Sequence, residues 1–284
     1  MAKRNENTSG EMGESDGRQF QYTLRMLVVY FALAFVITWS ILIPALSALP
    51  EDRQTPFYIL AAFGPFLSAV ITIWIGSGRA ELRRWLRQVF RLRIPIVLYL
   101  AGAFLLPFII GALHYGLYRV LGGESNFSTA QPWYLYLVNL LSVTLLTGGN
   151  EEPGWRGFAL PALLERVHPV FAAVILGSIH AAWHLPLLSQ YGTTLGWYLF
   201  NLIPLTVVLN WLYLRSRRSI LPVMLLHAST NVIANFVPTP TEVLGGPGSY
   251  MVLRGVVYWA MAIAIAVLTK GRLGCGPAGT SLPA

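Results

Sequence analysis

Apolar residues run through this chain in blocks of about 17 to 23, the length a helix needs to cross the hydrocarbon core of a bilayer. The blocks fall near Met26 to Leu46, Phe57 to Gly76, Ile96 to Tyr118, Tyr134 into the 150s, Val170 to Leu188, Leu195 to Leu214, Ile220 to Phe236 and Tyr250 to Leu268. This pattern predicts an all-α, polytopic membrane protein with about eight transmembrane helices. One stretch between blocks has a period of its own. Leu82, Trp85, Leu86, Val89 and Phe90 recur at helical spacing, with Arg83, Arg84, Arg87 and Arg91 on the opposite face. An interfacial amphipathic helix is therefore expected over 79–92, resting on anionic headgroups. Residues 1–23, polar and mixed in charge, predict a disordered tail, and residues 271–284, rich in Gly and Pro, a flexible one. A single transmembrane domain over 24–270 lies between them.

Composition supports this reading. The 284 residues are 55% hydrophobic and only 11% charged, roughly half the charge of a typical soluble domain. The formal charge of +8 would suit a nucleic-acid partner if it formed one face, but the basic residues sit in short clusters between apolar blocks, and no nucleic acid is expected. Topology accounts for them. Arg79 to Arg93, Arg156 with Arg166, Arg215 to Arg218, and Lys270 with Arg272 all fall on one side of an eight-span chain. The positive-inside rule then places both termini in the cytoplasm of a multi-pass cell-membrane protein. The single cysteine, Cys275, allows no internal disulfide and no cysteine-based metal site.

Ionisable groups inside a membrane are costly, so those present are the first candidates for function. They cluster on three helices. The fourth block carries Gly148-Gly149-Asn150-Glu151-Glu152-Pro153-Gly154-Trp155-Arg156, the fifth His180 and His184, and the seventh His227 and Asn231. Glu152 and Arg156 are four apart with the acid first, which favours an ion pair. Glu151 lies about 100° around the helix, so one carboxylate can be neutralised while the other faces a cavity. A break is expected near Gly148 and Gly149. His227 and Asn231 share a helix face, an arrangement suited to a metal or an oxyanion, and His180 with His184 repeats the spacing without the Glu of the zinc-protease HExxH.

With these residues in place the chain resembles the CPBP family of intramembrane proteases, which includes the CAAX prenyl endopeptidases and bacteriocin-immunity-type proteins. The family's EExxxR reads here from Glu151 to Arg156, its FxxxH ends at His184, and its HxxxN runs from His227 to Asn231. The likeness covers about 57–236. The slot four residues before His184 departs from the family: it holds His180 instead of an aromatic, and it is read as a packing position. His114 and His168 match no motif and are read as structural.

The resemblance implies peptide-bond hydrolysis in the membrane, with Glu151 and His184 activating a water and His227 with Asn231 stabilising the oxyanion. Glu152 and Arg156 would support them. It leaves open whether Glu151, His184 and His227 hold Zn²⁺ or work without a metal. The implied partners are membrane lipid and a membrane-associated or transmembrane protein or peptide substrate. Two other readings stand beside it: a non-catalytic scaffold or immunity factor of the same fold, and a small proton-coupled transporter. For the three motifs to meet at one depth, the fourth helix must start nearer Leu140 and run past Arg156, and the fifth must start after Pro169.

Overall fold

The computed structural model describes residues 21–92, 94–126, 130–187, 192, 195–236, 239–240 and 247–275. Residues 1–20 and 276–284, most of both expected tails, lie outside the described residues. The described residues form eight apolar helical runs: α1 (Leu24–Ala48), α2 (Thr55–Val89), α3 (Ile96–Val120), α4 (Tyr136–Leu146), α5 (Pro169–Trp183), α6 (Leu195–Arg215), α7 (Leu221–Val232) and α8 (Pro247–Leu268). Five helices are long and apolar enough to cross a membrane among the described residues: α1, α2, α3, α6 and α8. The others are shorter. α5 has 15 residues, α4 has 11, and α7 has 12 before a 3₁₀ turn over Ile233–Phe236.

Each short helix has a local cause. α4 stops at Leu146, where Thr147 leaves helical geometry (φ −144°, ψ 32°) and Gly148 is extended. The chain then re-enters the bundle over 149–164, as a 3₁₀ turn, a short α segment, a π turn over Trp155–Ala159 and a last α turn. Pro153 and Pro161 sit in first turns, where a missing N–H costs nothing. α5 begins at Pro169 for the same reason. The break at Gly148 and the late start of the fifth helix therefore follow the sequence reading.

Hydrophobic burial adds little between helices in lipid, so close packing and interhelical hydrogen bonds hold such a bundle. Ala173 and Gly177, four apart on α5, put a small-residue face against α6. A Cβ on Gly177 would lie 2.9 Å from the Cα of Ile203. The re-entrant segment is seated likewise against the Gly64–Pro65 turn of α2, since a Cβ on Gly154 would stand 2.3 Å from the carbonyl oxygen of Pro65. Tyr136 on α4 ties three helices: its hydroxyl donates to the carbonyl of Ala103 on α3 at 2.6 Å and lies 2.5 Å from Ser229 Oγ on α7.

α2 kinks at Gly78, whose φ of +83° is open to glycine at little cost, and continues as the expected amphipathic helix. Trp85 and Val89 are buried while Arg83, Arg84 and Arg87 are exposed. Trp85 Nε1 donates to the carbonyl of Gly157 in the re-entrant segment at 2.9 Å, and the amide of Ile220, just before α7, donates to the carbonyl of Val89 at 3.1 Å. A two-residue antiparallel pairing, Ser125 with Pro240 and Asn126 with Thr239, is the one strand contact among the described residues. Tyr22 packs edge-on against Phe158 with ring centroids 5.3 Å apart, and Leu273 and Cys275 are buried in the main core. A Cβ on Gly274 would lie 3.2 Å from the Cδ of Arg215, so this stretch sits beside the end of α6.

Candidate active site

The site is built on the backbone break. Asn150 Oδ1 accepts from the amide of Gly148 at 2.9 Å and its Nδ2 donates to the carbonyl of Leu146 at 3.3 Å, so one side chain satisfies both ends of the interruption. The next two residues are the paired carboxylates, and the geometry sends them apart. Glu152 is fully buried and its Oε1 accepts from Arg156 Nη1 at 2.9 Å and from His227 Nδ1 at 2.5 Å. Arg156 is equally buried and donates further, from Nε to Asn210 Oδ1 at 3.2 Å and from Nη2 to Thr206 Oγ1 at 3.1 Å. A buried cation of this kind survives only when its donors are matched, and α6 supplies the matching oxygens. Asn210 and Thr206 belong to no motif and escaped the sequence reading. Their polar character inside an apolar span was the available signal.

Glu151 turns instead toward α5. Its Oε2 lies 3.0 Å from His180 Nε2. His184, at the end of α5, donates Nδ1–H to the carbonyl of His180 at 2.9 Å, which fixes the tautomer and leaves Nε2 as an acceptor. Glu151, His184, His227 and Asn231 line one cavity of about 480 Å³. Asn231 is exposed within it, beside the break, where a Cβ on Gly148 would come within 2.9 Å of the amide nitrogen. Glycine at 148 thus leaves the room the amide occupies.

His180 is where the structure departs from the sequence reading. It does pack as an aromatic, with its ring 4.9 Å from Trp155 and 5.9 Å from Trp183, but it also reaches the carboxylate of Glu151. The possible metal-binding cluster among the described residues is accordingly Glu151, His180 and His184, with ligand atoms within 4.8 Å of one another. His227, the third possible ligand in the sequence reading, is not in that cluster, and its Nδ1 bonds Glu152 Oε1. In kind the donors suit zinc: one carboxylate and two imidazoles leave a fourth position open. His184 has the outer hydrogen bond that typically orients a metal-bound imidazole, whereas His180 Nδ1 is buried without a partner.

Comparison with known proteins falls on this same stretch. The family model described as type II CAAX prenyl endopeptidase Rce1-like matches residues 132–233, from just before α4 to the 3₁₀ turn after α7. That interval holds every residue of the three motifs. Residues 132–233 thus resemble a CAAX-protease-family domain. The CAAX prenyl protease 2 of Methanococcus maripaludis is 25% identical over 229 residues, covering 72% of this chain and 82% of that protein. The matched interval supplies Glu151, His184, His227 and Asn231 to the cavity, and α1, α2 and α8 supply further wall, including Thr38, Tyr58 and Arg254.

Proposed function

We propose that the chain is a CAAX-protease-like intramembrane endopeptidase that acts on a membrane-anchored, prenylated peptide. The observation that carries this is the shared cavity: Glu151, His184, His227 and Asn231 face one space, with the family's motifs in the family's order. In this reading a water held between Glu151 and His184 Nε2 gives a proton to Glu151 and attacks the scissile carbonyl carbon. The oxygen that gains charge lies toward Asn231 Nδ2 and, when protonated, His227 Nε2, the two donors available for it. The C–N bond then breaks, and the proton on Glu151 passes to the departing nitrogen, leaving a carboxylic acid and an amine.

The remaining groups position these. Glu152 holds His227 by Nδ1, so that Nε2 points to the cavity, and Arg156 holds Glu152 through a network that reaches α6. A zinc ion held by Glu151, His180 and His184 would supply Lewis-acid activation of the water. We place the protein as a multi-pass cell-membrane enzyme with cytoplasmic termini, on the distribution of its basic loops.

The test uses the full-length protein in lipid vesicles with a quenched fluorescent, prenylated CAAX peptide. Cleavage by the wild type, reduced roughly 100-fold or more in Glu151→Gln, is the expected result for loss of a general base. Normal turnover in Glu151→Gln would end this reading. Dialysis against a chelator, with metal content assayed on the same sample, separates the metal-dependent mechanism from the metal-free one.

A further inference from the structure

Beyond Gly78, α2 carries Arg79, Arg83 and Arg87 four residues apart, all exposed, while the buried Trp85 and Val89 take the opposite face. Arg91 is exposed just after the helix ends, flanked by Phe90 and Leu92, apolar side chains that are 41% and 65% exposed. The one acid of this stretch, Glu81, pairs with Arg84 at 2.9 Å. A second basic element meets the first. The turn after α6 carries Arg215 and Arg217, both exposed. Two residues on, Ser219 Oγ donates to the carbonyl of Arg91 at 2.6 Å, and the amide of Ile220 donates to that of Val89 at 3.1 Å. The two basic segments therefore meet at one end of the bundle.

The inner face of the same helix rests on the re-entrant segment. Trp85 Nε1 donates to the carbonyl of Gly157 at 2.9 Å, and a Cβ on Gly157 would lie 3.0 Å from Val89 Cγ2. Gly157 follows Arg156, whose guanidinium holds Glu152. A guanidinium matches a phosphate in bidentate geometry, and basic clusters at a bilayer surface attract anionic lipid. Exposed apolar side chains among the arginines suit insertion at the headgroup boundary. We propose that the helix beyond Gly78 and the turn after α6 form one binding site for anionic phospholipid headgroups, and that its occupancy steadies the 149–164 segment through Trp85. The sequence led to a helix resting on headgroups; the second basic element and the link to the segment that carries Glu151 and Glu152 come from the structure. A purely topological role for these arginines requires neither.

Binding is read first, on the full-length protein in phosphatidylcholine bilayers doped with spin-labelled phosphatidylglycerol or spin-labelled phosphatidylcholine. Electron paramagnetic resonance gives the fraction of each lipid immobilised at the protein. The wild type should prefer phosphatidylglycerol, and Arg83→Gln, Arg87→Gln and Arg217→Gln should each lower that preference by up to roughly fivefold. Raising the salt from about 0.05 M to about 0.5 M should lower it as well, because these charges are exposed. The corresponding lysine variants keep the charge and should keep most of the preference, which separates loss of binding from loss of fold. Equal immobilisation of the two lipids by the wild type would overturn the proposal. So would a preference that all three glutamine variants retain.

Coupling is read by amide hydrogen exchange over residues 152–164, in phosphatidylcholine alone and in a roughly 3:1 mixture with phosphatidylglycerol. Exchange in the mixture should be about fivefold slower, the worth of one hydrogen bond held more firmly. Trp85→Phe should leave the lipid preference in place and remove the difference in exchange. Identical exchange in the two membranes would overturn the coupling, and a difference that survives in Trp85→Phe would overturn its route through Gly157. Neither readout requires cleavage, so failure here leaves the peptidase reading intact, and loss of that reading leaves both tests in force.

Discussion

The long helices and the broken segment solve opposite problems. α1, α3 and α8 are long helical runs and face outward with side chains such as Val36, Leu100 and Val267, each at least half exposed. Lipid can cover such surfaces, because a helix satisfies most of its backbone groups internally. The 149–164 segment, the end of α5 and the middle of α7 carry Glu151, Glu152, Arg156, His180, His184 and His227, all buried. There the backbone is interrupted, and side chains close the hydrogen bonds that the helix gives up. The difference teaches that the irregular backbone at 147–151 stands beside the cavity and is closed by side chains.

Substitutions that set one region against the other sharpen the contrast. The largest expected effect on stability is at Arg156→Ala. It strands the fully buried Glu152 and should destabilise the folded protein by about 3–5 kcal/mol, read as a fall in thermal midpoint in detergent. Asn210→Ala removes one acceptor from the same network and should cost about 1–3 kcal/mol by the same measurement. A loss as large as that of Arg156→Ala would mean that α6, not Glu152, is the main support of the guanidinium.

His180→Phe should keep the packing against Trp155 and Trp183 and reduce peptide cleavage by less than about tenfold, since the family's motif places an aromatic there and the lost contact is one hydrogen bond. If it removes activity and bound metal together, His180 is a ligand. Trp85→Phe keeps the ring and loses the bond to Gly157, a change of about 1 kcal/mol. Smallest is Val36→Leu on the lipid face of α1, where a shift beyond about 0.5 kcal/mol would contradict its exposure to lipid.

Much of the architecture was legible because its signals are local. Runs of apolar residues locate the helices, the glycine pair marks the break before Glu151, and the alternation of Arg with Leu and Trp marks the amphipathic helix beyond Gly78. The ion pair of Glu152 with Arg156 is a matter of helical spacing alone. What spacing does not supply is the rotation of one helix against another. That rotation gives His227 to Glu152 and His180 to Glu151, and brings Thr206 and Asn210 to Arg156 from about 50 residues away. Arg254 was visible as a charge at the start of the last span, but its place on the cavity wall depends on how α8 docks beside α7.

The length of α5 has a consequence for where hydrolysis can occur. Its 15 residues, at 1.5 Å each, extend only about 22 Å, against roughly 30 Å for the hydrocarbon of a typical bilayer. Phe171, Val174 and Ile175 on its outer face are nevertheless exposed to lipid. Hydrophobic mismatch on this flank is therefore built in, and the acyl chains beside it must thin locally or leave its ends recessed. Either response shortens the path from bulk water to His184, the residue that closes the helix.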